Sequence, residues 1–391
     1  MITFEEAYRK TLETATILGV EEIDFLNSLG WVLAKDVVSD MNMPPFDKSA
    51  MDGYACRKQD LANELDVIEI IPAGVFPSKV VGLNQCAKIM TGAPVPKGAD
   101  TVIMVEHTRE SSLNKIRFTA ETSKSNICYL AEDIKTGDVV LKKGTLIKPK
   151  HIPVLASVGA TRVEVYKKPK VAIISTGDEL VEPQIMPKPS QIRNSNAFQL
   201  MAAAAELGLE YSYLGIAKDS IESVDEKLKM AIEKADVILL SGAVSMGDFD
   251  FVPLVLKEAG IDIKFHGVDV KPGKRSVFGT SKNKWYVGVP GNPVSAFVQF
   301  ETLVKPLLLK IMGRNKEEGY LKLTLGEDFI RNNAGRKAFE PIVIDREGFV
   351  RNMEYHGSAH INALSYADGL MIFEKGVFEL KKGEKVNVRP L

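Results

Sequence analysis

The sequence predicts a multidomain protein with a central doubly wound α/β domain, an inserted β-rich module and a C-terminal β domain. The chain has 391 residues, more than one ordinary domain of about 100 to 200 residues. In its central part, apolar strands alternate with helical patterns, which is typical of a parallel sheet with helices on both faces. On either side, short extended segments are broken by turn residues, which indicates β structure.

The N-terminal part is predicted to begin with helices. Residues 4–18 carry apolar side chains at helical spacing up to Gly19, and a second short helix is expected from Glu21 to Leu29. From Met41 to about Leu130 the sequence pattern changes and predicts short strands such as DVIEII and DTVIMVEHT. A further short helix is expected in HIPVLASVGA.

The central part alternates between strands and helices. The expected strands are VAIIS, YSYLGIA, DVILLSG, IDIKFHGV and WYVGVPG. The expected helices are NSNAFQLMAAAAELG, a helix opened by a capping box of Asp219 and Glu222, FVPLVLKEAG, and a long helix from Pro293 to about Met312. The last ~70 residues return to short strands and turns.

Charge and cysteine content exclude several classes of protein. Lys and Arg number 50 against 51 Asp and Glu, a net charge of -1, so no global field attracts nucleic acid or anionic lipid. The cysteines Cys56, Cys86 and Cys128 form no CxxC pair, which fits a reducing compartment. The N-terminus has no apolar signal region, and no run approaches the ~20 apolar residues of a membrane span. We therefore expect a cytoplasmic protein with no nucleic-acid and no membrane partner.

Three unusual loops follow predicted strands. They are STGDEL at 175–180, SGAVSMGDFD at 241–250 and PGNPVSA at 290–296. Parallel strands bring their carboxyl ends to one edge of the sheet, where ligands of such folds bind. Glycine allows backbone N–H groups to approach an anion, and Pro293 suits the first turn of a helix. The loops together predict an anion site at this edge.

The acidic residues of the second loop would repel a bare anion. Asp248 and Asp250 are compatible with a phosphate if a divalent cation lies between them. The alternative is an ordinary turn whose aspartates cap the next helix. Lys271, Lys274 and Arg275 form a cationic cluster upstream of the third loop, which is either part of the anion site or a solvated surface.

Neither a dinucleotide-binding GxGxxG nor a P-loop occurs in the required context. The β-rich part instead carries polar clusters in PPFDKSAMDGYA at 44–55, TGAPVPKGAD at 91–100 and AEDIKTGD at 131–138. Each cluster taken alone could be a plain turn.

Together, these motifs resemble those of the molybdopterin molybdenumtransferase family, the bacterial MoeA and gephyrin E-domain class. The motifs occur in family order from residue 44 to residue 296 and are PPFDKSAMDGYA, TGAPVPKGAD, AEDIKTGD, STGDEL, IRNSN, SGAVSMGDFDF, KPGK and PGNPVSA. The resemblance extends more weakly over both ends of the chain.

The resemblance implies a four-part subunit that forms a homodimer. The expected parts are a split, elongated N-terminal domain at 1–40 and 131–166, an inserted β-rich module at 41–130, an α/β molybdopterin-binding domain at 167–315 and a C-terminal β-barrel at 316–391. The implied reaction inserts molybdate into adenylylated molybdopterin and releases AMP, with Mg²⁺ as the required cation. Since molybdate and pyrophosphate are both anionic, cationic and backbone N–H groups are expected close to both.

The resemblance also assigns site residues by motif position. The implied catalytic residues are Asp52, Asp133, Glu179, Asp250, Lys271 and Lys274. The implied substrate-binding residues are Thr91, Ser175, Thr176, Gly177, Asp219, Ser241, Gly242, Ser245, Gly247, Pro290, Gly291, Asn292 and Pro293. The implied metal ligands are Glu179, Asp219 and Asp250. The two serines of the C-terminal segment SAHINALSYADGL, Ser358 and Ser365, are further candidates.

Partners and alternatives follow from the same resemblance. In such a homodimer the active site is shared between subunits, so the motifs of the α/β domain and those of the N-terminal part are expected to meet across the dimer and not to work alone. Molybdopterin adenylyltransferase and apo-molybdoenzymes are the candidate partner proteins. Three alternatives stay open: a molybdopterin adenylyltransferase that consumes ATP, a non-catalytic scaffold or carrier, and a regulatory protein that binds the pterin phosphate without turnover.

Overall fold

The structure, a computed structural model, describes residues 1–242, 251–314 and 319–391. Within these ranges the strands form three six-stranded sheets and five two-stranded sheets. No helix in the same ranges is long and apolar enough to cross a membrane.

The N-terminal part consists mainly of β structure. Its elements are α1 (Phe4–Glu13), β1 (Val20–Asp24), β2 (Val37–Val38), β3 (Lys48–Ser49), β4 (Gly53–Cys56), β5 (Glu64–Ile71), β6 (Gln85–Ile89), β7 (Thr101–Met104), β8 (Thr108–Ser112), β9 (Lys115–Phe118), β10 (Ile127–Cys128), β11 (Val139–Leu141), α2 (Ile152–Ser157) and β12 (Arg162–Tyr166). Six of these strands form one sheet in the order β7-β4-β6-β5-β9-β8. The β-rich structure predicted after Met41 is therefore confirmed.

Two expectations for the first 30 residues were wrong. The predicted helix from Glu21 to Leu29 is instead strand β1 followed by a short 3₁₀ turn. Strand β1 pairs antiparallel with β12, and this distant pairing overrides the local helical pattern. Helix α1 ends at Glu13 rather than near Gly19.

The central part is an α/β domain. Its elements are β13 (Val171–Thr176), β14 (Leu180–Val181), β15 (Ile192–Arg193), α3 (Asn196–Glu206), β16 (Tyr211–Ala217), α4 (Ile221–Lys234), β17 (Val237–Ser241), α5 (Val252–Glu258), β18 (Asp262–His266), β19 (Val270–Lys271), β20 (Val277–Ser281), β21 (Lys284–Val289), α6 (Pro293–Gln299) and α7 (Lys305–Ile311). The main sheet has the order β16-β13-β17-β21-β20-β18. Pairings among β16, β13, β17 and β21 are parallel, and β20 and β18 form an antiparallel edge.

Alternate residues of the central strands point to opposite faces of this sheet. Ile173 belongs to the core cluster that contains residues of α3 and α6, while Ile174 belongs to the cluster that contains residues of α4 and α5. This period of two is the geometry of a strand buried on both faces. The doubly wound α/β prediction is therefore confirmed.

Three details of the α/β domain differ from the expectations. Helix α4 is capped by Ser220, whose side chain accepts a hydrogen bond from the Ser223 N–H, rather than by Asp219. Strand β20 was missed, because its pairing with β18 and β21 is not visible in its short sequence. The long helix after Pro293 contains a π-helical segment, Phe300–Val304, between α6 and α7.

The C-terminal part is a β-barrel. Its strands are β22 (Leu321–Leu325), β23 (Phe329–Ile330), β24 (Lys337–Ile344), β25 (Phe349–Arg351), β26 (Gly369–Phe373), β27 (Glu379–Leu380) and β28 (Lys385–Pro390). The order β24-β25-β22-β28-β26 closes because β26 also pairs with β24. Strand β19 of the α/β domain pairs parallel with β24 and so joins the two parts.

Candidate active site

A cleft of roughly 660 Å³ lies at the carboxyl ends of the parallel strands. Strands β13, β17 and β21 are neighbours in the sheet, so the loops that follow them meet at one edge. The predicted site residues that line the cleft are Thr176, Gly177, Glu179, Asp219, Ser241, Gly242, Pro290, Gly291, Asn292 and Pro293. The predicted convergence of the three loops at one edge is therefore confirmed within the described residues.

The first loop folds a carboxylate over a glycine. Gly177 has a φ of +147°, and a Cβ there would lie 2.5 Å from Glu179 Oε2. Because other residues rarely adopt this φ, glycine favours the turn that brings the carboxylate so close. Ser175 lies beneath the loop, completely buried, and does not line the cleft. Its hydroxyl donates to Asn194 Oδ1 at 3.1 Å.

Two acidic loops are tied to each other. The Asp178 N–H donates to Asp219 Oδ2 at 3.3 Å, and the Asp219 N–H donates to Asp178 Oδ1 at 3.2 Å. These bonds connect the loop after β13 with the loop after β16. They place Asp219 on the same cleft as Glu179.

The second loop begins against the first. Gly242 has a φ of +96°, and a Cβ there would lie 2.5 Å from the backbone oxygen of Thr176. Its N–H donates to Val289 O at 3.1 Å, which fixes the turn above β21. The predicted residues Ser245, Gly247 and Asp250 lie outside the described residues.

The third loop starts helix α6 and contacts the C-terminal part. Pro293 is the first residue of the helix and Asn292 is its N-cap. Asn292 Nδ2 donates to Ser358 Oγ at 3.0 Å, and the Val294 N–H donates to Ser358 O at 3.1 Å. The serine candidate Ser358 therefore reaches the third loop, whereas Ser365 contributes to neither the cleft nor the groove beside it.

A cationic groove of roughly 310 Å³ lies beside the cleft and shares Arg275, Pro290 and Asn292 with it. Its other cations are Lys271, Lys274 and Arg336. The predicted cationic cluster is thus next to the three loops that were predicted to bind an anion. Arg336, which the sequence did not suggest, comes from the chain just before β24 and donates from Nη1 to Val270 O at 3.1 Å.

Burial affects two titratable groups, Tyr355 in the groove and Glu340 near Lys271. Burial raises the pKa of Tyr355, which lines the groove, to about 12, so its hydroxyl stays protonated at neutral pH. Burial also raises the pKa of Glu340, while the charges of Lys271 and Arg331 lower it. The excess of positive charge in the groove comes from its lining residues, which in the described part of the chain include two lysines and two arginines and no carboxylate.

The predicted residues of the N-terminal part are not brought to the cleft of their own chain. Asp52 Oδ1 accepts from the Thr91 N–H at 2.7 Å and from the Thr91 hydroxyl at 2.8 Å. These two hydrogen bonds, the backbone bond first, hold the pKa of Asp52 below its usual value. The Asp133 N–H donates to Met43 O at 3.0 Å. Neither the cleft nor the groove is lined by Asp52, Thr91 or Asp133.

Sequence reasoning named the IRNSN motif but gave its residues no role. The structure places Asn194 and Asn196 in the wall of the cleft. Ala359 and Ile361 also line the cleft and come from the C-terminal part. No short-range signal marks them, because their contacts depend on tertiary structure.

The fold and the cleft define a multidomain protein whose α/β domain carries a cleft of glycine-containing loops beside a cationic groove. Comparison with known proteins specifies this class. Residues 2–159 match the family described as MoeA N-terminal region (domain I and II), residues 172–310 match the probable molybdopterin binding domain, and residues 322–391 match the MoeA C-terminal region (domain IV).

Relatives and a solved structure cover nearly the whole chain. Molybdopterin molybdenumtransferase of Staphylococcus epidermidis is 34% identical over 400 residues, covering 99% of this chain and 95% of the relative. That of Staphylococcus aureus is 33% identical over 397 residues with the same coverage of 99% and 95%. The structure of the molybdopterin biosynthesis MoeA protein of Pyrococcus horikoshii superposes with a TM-score of 0.85 at 30% identity, covering 100% of both chains. This chain belongs to the molybdopterin molybdenumtransferase family.

Proposed function

We propose that this protein inserts molybdate into adenylylated molybdopterin and releases AMP, which completes the molybdenum cofactor. The observation that carries the proposal is a cleft lined by glycine-containing loops beside a cationic groove, the two sharing Arg275, Pro290 and Asn292. The reaction joins two anions, a pyrophosphate-bearing pterin and molybdate. Two adjoining sites of this kind are what such a reaction requires.

The pterin substrate fits the cleft through its phosphates. The loops at 175–180, 241–242 and 290–293 bring glycines and a helix start together, where backbone N–H groups can face phosphate oxygens. The cleft of roughly 660 Å³ lies within the usual range for a small-molecule site. We assign the phosphate end of the substrate to these loops.

Molybdate fits the cationic groove. Lys271 and Lys274 flank the Pro-Gly turn, and Arg275 faces both sites. These charges would hold the oxyanion while the two thiols of the pterin replace oxo oxygen on molybdenum, which leaves as water with the thiol protons. Hydrolysis of the phosphoanhydride then consumes water and releases AMP. The groups of this chain bind and orient both anions for these steps.

The carboxylates of the cleft fit a magnesium ion. Glu179 and Asp219 line the same cleft, and Mg²⁺ is commonly held by one or two carboxylates together with substrate phosphates. Within residues 1–242, 251–314 and 319–391, no group of three His, Cys, Asp or Glu side chains is arranged for a metal ion. Glu179 and Asp219 would hold the ion with the substrate, and Asp250 is the third proposed ligand. The ion would neutralise phosphate charge.

The active site is proposed to be shared between two subunits of a homodimer. Asp52 and Thr91 form a well-defined hydrogen-bonded pair, yet they do not line the cleft of their own chain. A second copy could supply them, and also Asp133. We further propose that the protein acts in the cytoplasm, receives its substrate from molybdopterin adenylyltransferase and delivers its product to apo-molybdoenzymes.

The test is AMP release from adenylylated molybdopterin and Mg²⁺, with and without molybdate. The proposal predicts release that depends on molybdate and needs no ATP. Lys271→Ala should raise the molybdate concentration for half-maximal release by at least about tenfold, because it removes a charged contact to the oxyanion. Lys234→Ala, an exposed lysine at the end of α4, is the matched control.

Each alternative outcome has a distinct meaning. Consumption of ATP with production of adenylylated molybdopterin would replace the proposal with an adenylyltransferase. Tight binding of adenylylated molybdopterin without AMP release would leave a carrier or scaffold. Glu179→Gln should raise the Mg²⁺ concentration needed for half-maximal release, and an unchanged Mg²⁺ dependence would remove Glu179 from the metal site.

A further inference from the structure

Two buried asparagines of the IRNSN motif have no role in the function proposed above. Asn194 is 1% exposed and Asn196 is 7% exposed, although both belong to the wall of the cleft. A buried amide is costly unless it is hydrogen-bonded, so its partners indicate what it does.

Asn196 connects the second and third loops. Its Nδ2 donates to Ser241 Oγ at 2.8 Å and to Gly291 O at 2.7 Å. A backbone carbonyl can only accept, so the contact with Gly291 fixes which end of the amide is nitrogen. One side chain on the first residue of α3 therefore links the ends of β17 and β21.

This arrangement determines which groups the loops present to a ligand. Ser241 Oγ accepts from Asn196, so the hydroxyl keeps its own hydrogen for another acceptor. The Gly291 carbonyl oxygen accepts from the same amide, so part of its negative charge is neutralised by that donor. Both effects make the loops better hydrogen-bond donors.

Asn194 supports this arrangement through its contact with Ser175 of the first loop. Its Oδ1 accepts from Ser175 Oγ at 3.1 Å and from the Ala197 N–H at 3.3 Å. Its Nδ2 donates to Tyr213 Oη at 2.8 Å. Asn194 thus ties the end of β13 to the start of α3, where Asn196 lies.

We propose that Asn196 is a positioning residue that orients Ser241 and the Gly291 turn as donors for the phosphate end of the substrate. This inference rests on the proposed function, because that function places phosphate in the cleft. Asn196 acts through Ser241 and Gly291 and does not contact the reacting atoms. Asn194 fixes the helix start from which Asn196 reaches both loops.

The test is a double-mutant cycle of Asn196→Ala and Ser241→Ala. Binding of adenylylated molybdopterin without molybdate is measured by calorimetry, and KM and kcat are measured by AMP release. Asn196→Ala should weaken binding and raise KM about tenfold while changing kcat less than about threefold, as expected for loss of an oriented donor to a charged group. The double variant should lose less than the product of the two single losses, because one substitution acts partly through the other.

Conservative variants separate positioning from folding. Asn196→Ser keeps one donor and should fall between the wild-type protein and Asn196→Ala. Asn196→Asp should bind more weakly than Asn196→Ala, because a carboxylate cannot donate and adds negative charge beside the phosphate. Asn63→Asp is the matched control, since it removes a 2.8 Å amide contact with Asn84 Oδ1 in the N-terminal part.

The outcomes distinguish this inference from the proposed function. If the wild-type protein releases AMP but Asn196→Ala lowers only the melting temperature, or the single losses multiply fully, the positioning role is wrong and the function stands. If the wild-type protein releases no AMP, the proposed function fails. In that case, hydrogen exchange decides: Asn196→Ala should speed exchange of the Gly291 and Asn292 amides, and unchanged exchange would overturn the inference.

Discussion

A buried carboxylate joins the α/β domain to the C-terminal barrel, and its neutralisation should loosen that junction. Glu301 lies in the π-helical segment, and its side chain is 4% exposed. Its Oε2 accepts from Arg389 Nε at 3.1 Å and lies 3.1 Å from Arg389 Nη2. Lys305 Nζ is 3.2 Å from the same oxygen. We predict that Glu301→Gln destabilises this unit although it touches neither the cleft nor the groove.

The magnitude follows from burial. The Arg389 side chain is 6% exposed, so Glu301→Gln removes a carboxylate from beside a poorly solvated cation. Breaking a buried pair from one side costs about 3 to 5 kcal/mol. With a urea m value of about 3 kcal/mol/M, a loss of about 3 kcal/mol lowers the unfolding midpoint by about 1 M.

The assay is urea unfolding followed by the fluorescence of Trp285, which is buried in the α/β core, in a Trp31→Phe background. Glu13→Gln is the matched control, because Glu13 forms an i,i+4 pair with Arg9 in which both side chains are more than half exposed. Exposed pairs contribute about 0 to 1 kcal/mol. A midpoint change in Glu301→Gln no larger than that in Glu13→Gln would refute the reasoning.

Three other predictions concern the site. Thr91→Val should raise the pKa of Asp52 toward its ordinary value, because the substitution removes the hydroxyl donor that helps to lower it. A ¹³C NMR titration of Asp52 measures this pKa. An unchanged pKa would mean that the backbone hydrogen bond alone lowers it. Gly242→Ala, at φ +96° with a backbone oxygen 2.5 Å from the new Cβ, should lower stability and substrate affinity more than Gly137→Ala, at φ +91° with nothing within 4 Å of the new Cβ. If denaturation and binding assays show equal losses in the two variants, backbone strain is the only cause and the close contact at Gly242 has no effect. Asp52→Ala chains mixed with Asp250→Ala chains should recover AMP release through heterodimers, and no recovery despite proven subunit exchange would contradict the shared site.

The strands that build the cleft could be predicted from the sequence. The apolar runs of β13, β16, β17 and β21 are bounded by glycine and polar residues, and parallel strands must bring such loops to one edge. The position of the three loops followed from this topology, and the neighbouring lysines were found from residue type.

The elements that were missed depend on distant partners. Val20–Asp24 is a strand because it pairs with Arg162–Tyr166, far along the chain. Strand β20 is defined by its antiparallel neighbours β18 and β21. Asn196 finds its acceptors 45 and 95 residues away, a relation that no local pattern contains.

The relation of Asp52 and Thr91 to the cleft could be proposed only from the resemblance. The two hydrogen bonds that Thr91 donates lower the pKa of Asp52 and hold its carboxylate against Thr91. They do not bring it to the α/β domain of the same chain. The order of the family motifs along the sequence assigns these residues to the active site, whereas the fold of a single chain does not place them in its own cleft.

The most direct test of the central claim is the ratio of molybdenum bound to pterin to AMP released. The wild-type protein is given adenylylated molybdopterin, Mg²⁺ and molybdate, and both products are quantified, molybdenum by mass spectrometry of the separated pterin and AMP by chromatography. We predict one molybdenum for each AMP, with both products reduced together in Lys271→Ala. AMP release without molybdenum on the pterin would contradict the account, because the protein would then hydrolyse its substrate rather than transfer the metal.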